Sequence, residues 1–235
     1  MADEVTEAHR NVPRAVVLLS GGMNSTAVLA QARRQGYECY CLSFAYGQPH
    51  AVELEAARKI AVRQGARAHR IMDVNWGAIG DTPLHRAAGM EALAAKGIPS
   101  DYFPARNIIF IGFALSWAET LEAEAVFTGV SAESGFPDAR AEFIAAMQEV
   151  ARVATAIGQA GRAPEIRAPL LELTKAEVIR LGAELNVDFS MTHSCLHPVG
   201  DLACGTCRPC VSRRQGFAFA GLPDPTRYRE APKRR

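Results

Sequence analysis

The chain is 235 residues long and 49% hydrophobic, with a formal net charge of +1 at pH 7. That length suits one large domain, or one domain with an appendage, and the balanced charge excludes a broad basic footprint for nucleic acid. No apolar run reaches about 18 residues, so no membrane span is expected.

The opening MADEVTEAHRNVPR is acidic and polar and lacks the charged-then-apolar layout of a secretory signal. The expectation is a cytoplasmic protein with reduced thiols and with neither a membrane nor a direct nucleic-acid partner. Its six cysteines then need a reason other than disulfides.

In chain order, Ala15 to Leu19 is a short apolar run that suits a buried parallel strand. Asn24 to Gln35 reads as a helix with Ala27, Val28, Leu29 and Ala32 on its apolar side. Tyr37 to Phe44 reads as a strand, Ala51 to Gln64 as a helix, and His69 to Val74 as a third strand. A long Gly- and Pro-bearing loop, WGAIGDTPLHRAAGMEALAAKGIPSDYFPA, comes next. Asn107 to Leu121 is helical, Ala125 to Val130 a strand, Ala141 to Ile157 a helix, and Glu165 to Ala168 a short strand. Thr174 to Leu185 closes the series as a helix, with Thr174 and Glu177 at capping-box spacing. Alternating strands and helices imply an α/β fold, a parallel sheet with helices on both faces. The predicted organisation is an N-terminal tail over 1–13, an α/β domain over 14–190, a metal-stapled appendage over 191–222 and a basic tail over 223–235, expected to be solvated.

The first strand runs into Ser20-Gly21-Gly22. In open α/β sheets ligands sit beyond the carboxyl ends of the strands. The helix that follows offers unpaired N–H groups and the positive end of its dipole. Glycines let a phosphate approach with no Cβ in the way, and Ser20, Ser25 and Thr26 add hydroxyl donors. No Lys-Ser/Thr follows, so this is not a Walker loop, and G-x-G-x-x-G is also absent. The plain alternative is a tight strand-to-helix turn with a polar cap.

The stretch LLSGGMNST resembles the pyrophosphate loop of the ATP pyrophosphatase (PP-loop) superfamily, written S-G-G-x-D-S. The resemblance implies a Rossmann-like domain that cleaves Mg-ATP between the α- and β-phosphates and adenylates a substrate oxygen. The amides at the helix start would stabilise charge developing on the departing pyrophosphate. Asn24 stands where the superfamily has Asp. Its amide still hydrogen-bonds but is a poorer ligand for Mg²⁺.

A second constellation is SCLHPVGDLACGTCRPC. Cys195, Cys204, Cys207 and Cys210, spaced C-x8-C-x2-C-x2-C, can close a tetrahedral zinc site of structural type; an iron–sulfur cluster is the rival. His193 and His197 lie close by and could replace one thiolate. Cys39 and Cys41 share one face of a strand and read as core residues.

The region SCL…CGTCRPCVSRRQGFAFAGLPDPTRY resembles the C-terminal signature of 7-cyano-7-deazaguanine synthases. Three further stretches are similar to that family: YFPARNIIFIGFALSWAE, FTGVSAESGFPDARAEF and APLLELTKAEVIRLG. The resemblance implies a queuosine-pathway ligase acting on 7-carboxy-7-deazaguanine, ATP and ammonia, and a homodimer. Ser20, Gly21, Gly22, Asn24, Ser25 and Thr26 would then bind the ATP phosphates. Tyr46 and Gln48, with Gly47, lie where adenosine often sits in the superfamily. Asn24 and Arg106 are the catalytic candidates, Arg106 toward a phosphate or the substrate carboxylate. Asn107, Glu133, Phe136, Asp138 and Arg140 are expected at the substrate. Phe136 would stack on the deazapurine, and Glu133 and Asp138 would accept from its guanine edge. Two departures stand out: the family's Ala-Glu-Asp-Tyr-Ser-Gly is shortened to Ala132–Gly135, and its usual Cys after Pro-Asp is Ala139. They admit a second reading, a paralogue that passes the activated carboxylate to another amine, even on a protein. A third reading, a nucleotide-binding module impaired in catalysis, rests on Asn24.

Overall fold

The computed structural model describes residues 12–46, 52–75, 78, 95–99 and 102–229. Five strands form one sheet: β1 (Arg14–Leu18), β2 (Glu38–Ala45), β3 (Ala68–Asp73), β4 (Ala125–Phe127) and β5 (Glu165–Arg167). Their order is β3-β2-β1-β4-β5, and every pairing is parallel. The helices are α1 (Met23–Arg34), α2 (Val52–Arg63), α3 (Arg106–Leu121), α4 (Ala141–Ala154), α5 (Ala156–Gln159), α6 (Lys175–Glu184) and α7 (Arg208–Ala220).

Successive side chains of a strand point to opposite faces, and β1 divides the core on that rule. Ala15 and Val17 join a buried cluster with Val28 and Leu29 of α1 and Ala57 and Ile60 of α2. Val16 and Leu18 join the opposite cluster, with Ile111 and Leu115 of α3 and Met147 and Ala151 of α4. Cys39 and Cys41 are buried in the first cluster, as the alternation predicts. Burial pushes the Cys39 thiol up to about 12, so it stays protonated and inert.

The predicted elements match within a few residues, with informative exceptions. The helix predicted over Ala141–Ile157 breaks at Thr155, whose backbone is extended and whose side-chain Oγ1 caps α5 by accepting a hydrogen bond from the Gly158 N–H. The capping box at the start of α6 is present in both directions: the Glu177 N–H bonds to Thr174 Oγ1, and the Thr174 N–H bonds to Glu177 Oε2. Most of the loop predicted over 76–105 lies outside the described residues.

The C-terminal region differs most from expectation. The helix α7, unannounced by any apolar stripe, packs directly on α6. A Cβ on Gly216 would fall 2.5 Å from Lys175 Cγ and 2.9 Å from Ile179 Cδ1, so glycine permits the contact. Phe217 meets Phe189 edge-to-face at 5.4 Å.

The start of the predicted basic tail is exposed in part but is tied to the rest of the chain. Ala203 exchanges backbone bonds with Arg227 and Arg229, and Tyr228 OH donates to Asp224 Oδ2 at 2.6 Å. Arg213, 1% exposed, ties these parts together. It donates to Asp224 Oδ1 at 3.0 Å, Thr192 Oγ1 at 2.6 Å and the Phe189 carbonyl at 2.9 Å. Truncating one partner of a buried pair strands the other. Arg213→Ala should therefore cost about 3 kcal/mol, read as a lower urea midpoint with the slope unchanged.

Candidate active site

The strand order reverses direction between β1 and β4, and there a cleft of about 410 Å³ opens beyond the strand ends. Its lining joins a hydrogen-bonded group, Ser20, Asn24, Ser25, Gly129, Lys175 and Glu133, to a second group in which Arg106 and Arg208 meet Phe136.

The loop after β1 is cross-braced by its own hydroxyls. The Ser20 N–H donates to Ser25 Oγ at 3.1 Å, and the Gly22 N–H donates to Ser20 Oγ at 3.3 Å. Ser25 and Thr26 hydroxyls both donate to the Gly22 carbonyl, at 3.1 and 2.8 Å. Thr26 is buried and lies outside the cleft lining. The two glycines serve different ends. Gly21 has φ +85°, and a Cβ there would sit 2.3 Å from the Glu53 carbonyl oxygen, so it admits the close approach of α2. Gly22 would place a Cβ 3.4 Å from Ser20 Oγ, an ordinary contact.

Asn24 bridges three segments. Its Nδ2 donates to the Gly129 carbonyl at 3.2 Å, and its Oδ1 accepts from Lys175 Nζ at 2.8 Å. Gly129 presses on the same helix start, where a Cβ would lie 3.0 Å from the Ser25 amide nitrogen. Lys175 is largely buried. Burial pulls its ammonium below the ordinary lysine range; Glu133 partly offsets this, and Arg208 and Arg213 add to it. A cation so placed gains when an anion enters.

At the other end, Arg106 opens α3 and Arg208 opens α7. Their guanidinium carbons lie 5.7 and 5.6 Å from the centroid of the Phe136 ring, itself only 9% exposed. Tyr46 lines the cleft with its ring 5.5 Å from that of Phe103 and 5.7 Å from that of Phe110. Burial raises its phenol above the ordinary tyrosine range. Glu133 accepts the Lys175 backbone N–H at 2.9 Å.

Asp138 is placed otherwise than expected. It is 5% exposed, does not line the cleft, and accepts the Asn107 N–H at 2.9 Å. Asn107 Nδ2 returns a bond to the Asp138 carbonyl at 2.8 Å. The pair thus fixes the start of α3, where a carboxylate also suits the helix dipole. Arg140 is exposed and outside the cleft lining. Gln48 and Gly47 lie outside the described residues. Sequence reasoning missed Lys175 and Arg208, although both stand inside motifs it had quoted.

Cys195, Cys204, Cys207 and Cys210 place their sulfurs within 4.8 Å of one another. A tetrahedral ion with bonds of about 2.3 Å needs thiolates roughly that close, so the donor set fits a metal. Backbone N–H groups aim at the sulfurs: His197 and Cys204 at Cys195 Sγ (3.2 and 3.1 Å), Leu196 at Cys207 Sγ (3.5 Å). Burial pushes the Cys204 thiol up, but the Thr206 and Cys207 amides and the Thr206 hydroxyl outweigh it and hold it at about 5. The predicted alternative ligand His193 instead bonds the Cys195 carbonyl through Nε2 at 2.9 Å, and its N–H donates to the Gly21 carbonyl at 2.9 Å. The cysteine region is thereby fastened to the loop after β1.

Residues 14–221 match the family described as queuosine biosynthesis protein QueC. A 7-cyano-7-deazaguanine synthase of Saccharophagus degradans is 47% identical over 219 residues, spanning 92% of this chain and 97% of that protein. One from Nitrosococcus oceani is 49% identical over 220 residues, spanning 92% and 98%. One from Anaeromyxobacter dehalogenans is 47% identical over 236 residues, spanning 97% and 99%. Among solved structures, the NMN synthetase of Francisella tularensis superposes with a TM-score of 0.48 at 15% identity, covering 90% of this chain and 78% of that one.

The close approach at Gly129 yields a test. Gly129→Ala should cover the Ser25 amide and weaken ATP binding about tenfold, the worth of one hydrogen bond to a charged group. Calorimetric titration of ATP checks this; unchanged affinity would mean that no phosphate uses that amide.

Proposed function

This chain belongs to the QueC family, and we propose on that premise that it is an ATP-dependent carbon–nitrogen ligase converting 7-carboxy-7-deazaguanine and ammonia to 7-cyano-7-deazaguanine. The observation that carries the reading is one cleft with two ends: a hydroxyl-braced loop with a buried Lys175, and the Phe136 ring flanked by two guanidiniums. The first end suits a triphosphate, the second a flat acid.

The proposed course begins with the substrate carboxylate attacking the α-phosphorus of ATP, with pyrophosphate departing toward the amides of α1. Lys175 and Asn24 hold the phosphate end in place, and the cation offsets the charge that gathers on the leaving group. Ammonia then attacks the acyl carbon and expels AMP, leaving the amide. A second ATP activates the amide oxygen; loss of AMP and protons yields the nitrile. Magnesium belongs to the nucleotide and shields its phosphates. Phe136 would lie against the deazapurine, and Glu133, which lines the cleft together with Glu53, would accept from its guanine edge.

The four-cysteine cluster is read as a structural zinc site, since all four positions are filled by protein sulfur. A homodimer is part of the reading and is supported by exposed apolar side chains on α3 and α4, including Ile108, Phe113, Val150 and Val153. A cytoplasmic location accords with six free cysteines and, among the described residues, no helix long and apolar enough to cross a membrane.

Mixed with ATP, Mg²⁺, 7-carboxy-7-deazaguanine and ammonia, the chain should release AMP and form the nitrile, read by mass spectrometry. AMP without nitrile would favour transfer to another amine, and no AMP would overturn the reading. In Asn24→Asp the amide donor to the Gly129 carbonyl is replaced by a carboxylate oxygen, which would be the better ligand for the Mg²⁺ that accompanies ATP. That variant should release AMP faster; equal rates would count against metal binding at this position. Elemental analysis should find one zinc per chain, lost in Cys204→Ser; iron in its place would overturn the zinc assignment.

A further inference from the structure

The chain that follows β4, from Thr128 to Phe136, lays one wall of the cleft. Its backbone is committed to the fold. The Thr128 N–H donates to the Arg167 carbonyl at 2.9 Å, the Ala132 N–H to the Leu171 carbonyl at 2.9 Å, and the Ser134 N–H to the Ser131 carbonyl at 3.0 Å. The wall meets the start of α1 at Gly129, whose carbonyl accepts from Asn24, and it runs on to the Phe136 ring.

Two hydroxyls on this wall are left over. Thr128 is 2% exposed and Ser131 7%; both line the cleft, and among the described residues neither hydroxyl has a hydrogen-bond partner. Their neighbours in the cleft are already engaged. Ser25 donates to the Gly22 carbonyl at 3.1 Å, Ser43 donates to the Leu19 carbonyl, and Ser134 Oγ accepts the Phe136 N–H at 3.2 Å. A buried hydroxyl left unpaired destabilises the fold, and a ligand that pairs with it relieves this.

The proposed reaction activates one carbon twice. Each time, one oxygen on that carbon attacks phosphorus and leaves with AMP. The other atom on it is a carboxylate oxygen in the first activation and an amide nitrogen in the second. That oxygen accepts two hydrogen bonds, whereas the NH₂ donates two. A group that holds this atom throughout must donate first and accept later. Lysine and arginine only donate, and an ionised glutamate only accepts, so each suits one activation and opposes the other. A hydroxyl does both, because its O–H rotates to suit.

Resting on the function proposed above, we infer that the Thr128 and Ser131 hydroxyls bind the atom of the 7-substituent that does not attack phosphorus, donating to the carboxylate oxygen and later accepting from the amide N–H groups. Two hydroxyls match the two lone pairs of the oxygen and the two hydrogens of the nitrogen. The wall that carries them joins the Asn24 contact to the Phe136 ring, so the substituent would lie beside both the phosphates and the flat ring.

The test compares wild type with Thr128→Val, Ser131→Ala and the double variant, each as the whole chain. Valine keeps the shape of threonine, and neither change strands a protein partner, so urea midpoints should hold. Calorimetry without ATP gives Kd for 7-carboxy-7-deazaguanine, for its 7-carboxamide and for 7-deazaguanine, which has the ring without the substituent. AMP release at saturating ATP shows whether acid and carboxamide are activated. The double variant should weaken acid and carboxamide alike by about tenfold, the worth of two modest hydrogen bonds. It should leave 7-deazaguanine and ATP within about twofold. Each single variant should lose about threefold on both, and Thr128→Ser, which keeps the hydroxyl, should stay near wild type. Should the double variant not fold, the single variants decide by the same ratios. A loss on the acid alone or on the carboxamide alone would overturn the double role. An equal loss on 7-deazaguanine, weaker ATP binding, or unchanged acid and carboxamide would overturn the site. If wild type releases no AMP with either, the functional reading itself falls; if it activates both and the variants match it, only the two hydroxyls lose their role.

Discussion

The side chain of Asn24 joins three segments: the start of α1, the stretch after β4 and the start of α6. An amide can do this because it offers a donor to the Gly129 carbonyl and an acceptor to the Lys175 ammonium. The cleft follows from that bridge. It holds the Lys175 ammonium against the start of α1 on the lining of the cleft. The glycine at 129 completes the constraint, since any side chain there would press on the Ser25 amide.

A second brace reaches the loop from behind. His193 joins the Gly21 carbonyl to the carbonyl of Cys195, a member of the cysteine cluster. Arg213 anchors the same stretch by bonding Thr192 and Phe189 on one side and Asp224 on the other. The cysteine region therefore bears on the cleft through position. It holds one wall of the cleft and steadies the loop, with its four sulfurs turned toward one another.

Much of the layout was legible in local pattern. The short apolar run of β1, the capping box at Thr174 and the cysteine spacing each state a local rule that the folded chain obeys. Asp138 was not legible in this way. Its carboxylate looked like a hydrogen-bond acceptor for a guanine edge, but burial and the Asn107 amide claim it for the start of α3. Gly21 was read as room for phosphate, whereas its neighbour is the backbone of α2. The helix α7 shows no apolar stripe because glycine and an arginine, Gly216 and Arg213, fill its inward face beside Phe217.

By itself the sequence determined the alternation of strands and helices, the glycine turn after β1, the four-sulfur donor set and the family to which the chain belongs. These are properties of neighbours along the chain, set by side-chain period, cap chemistry and spacing. Only the tertiary structure decided that Lys175 faces Asn24, that Arg208 shares a ring with Arg106, and that Asp138 turns inward. Each depends on groups far apart in sequence being pressed together, and the partner of a charge buried that way is chosen by packing, which no local pattern records.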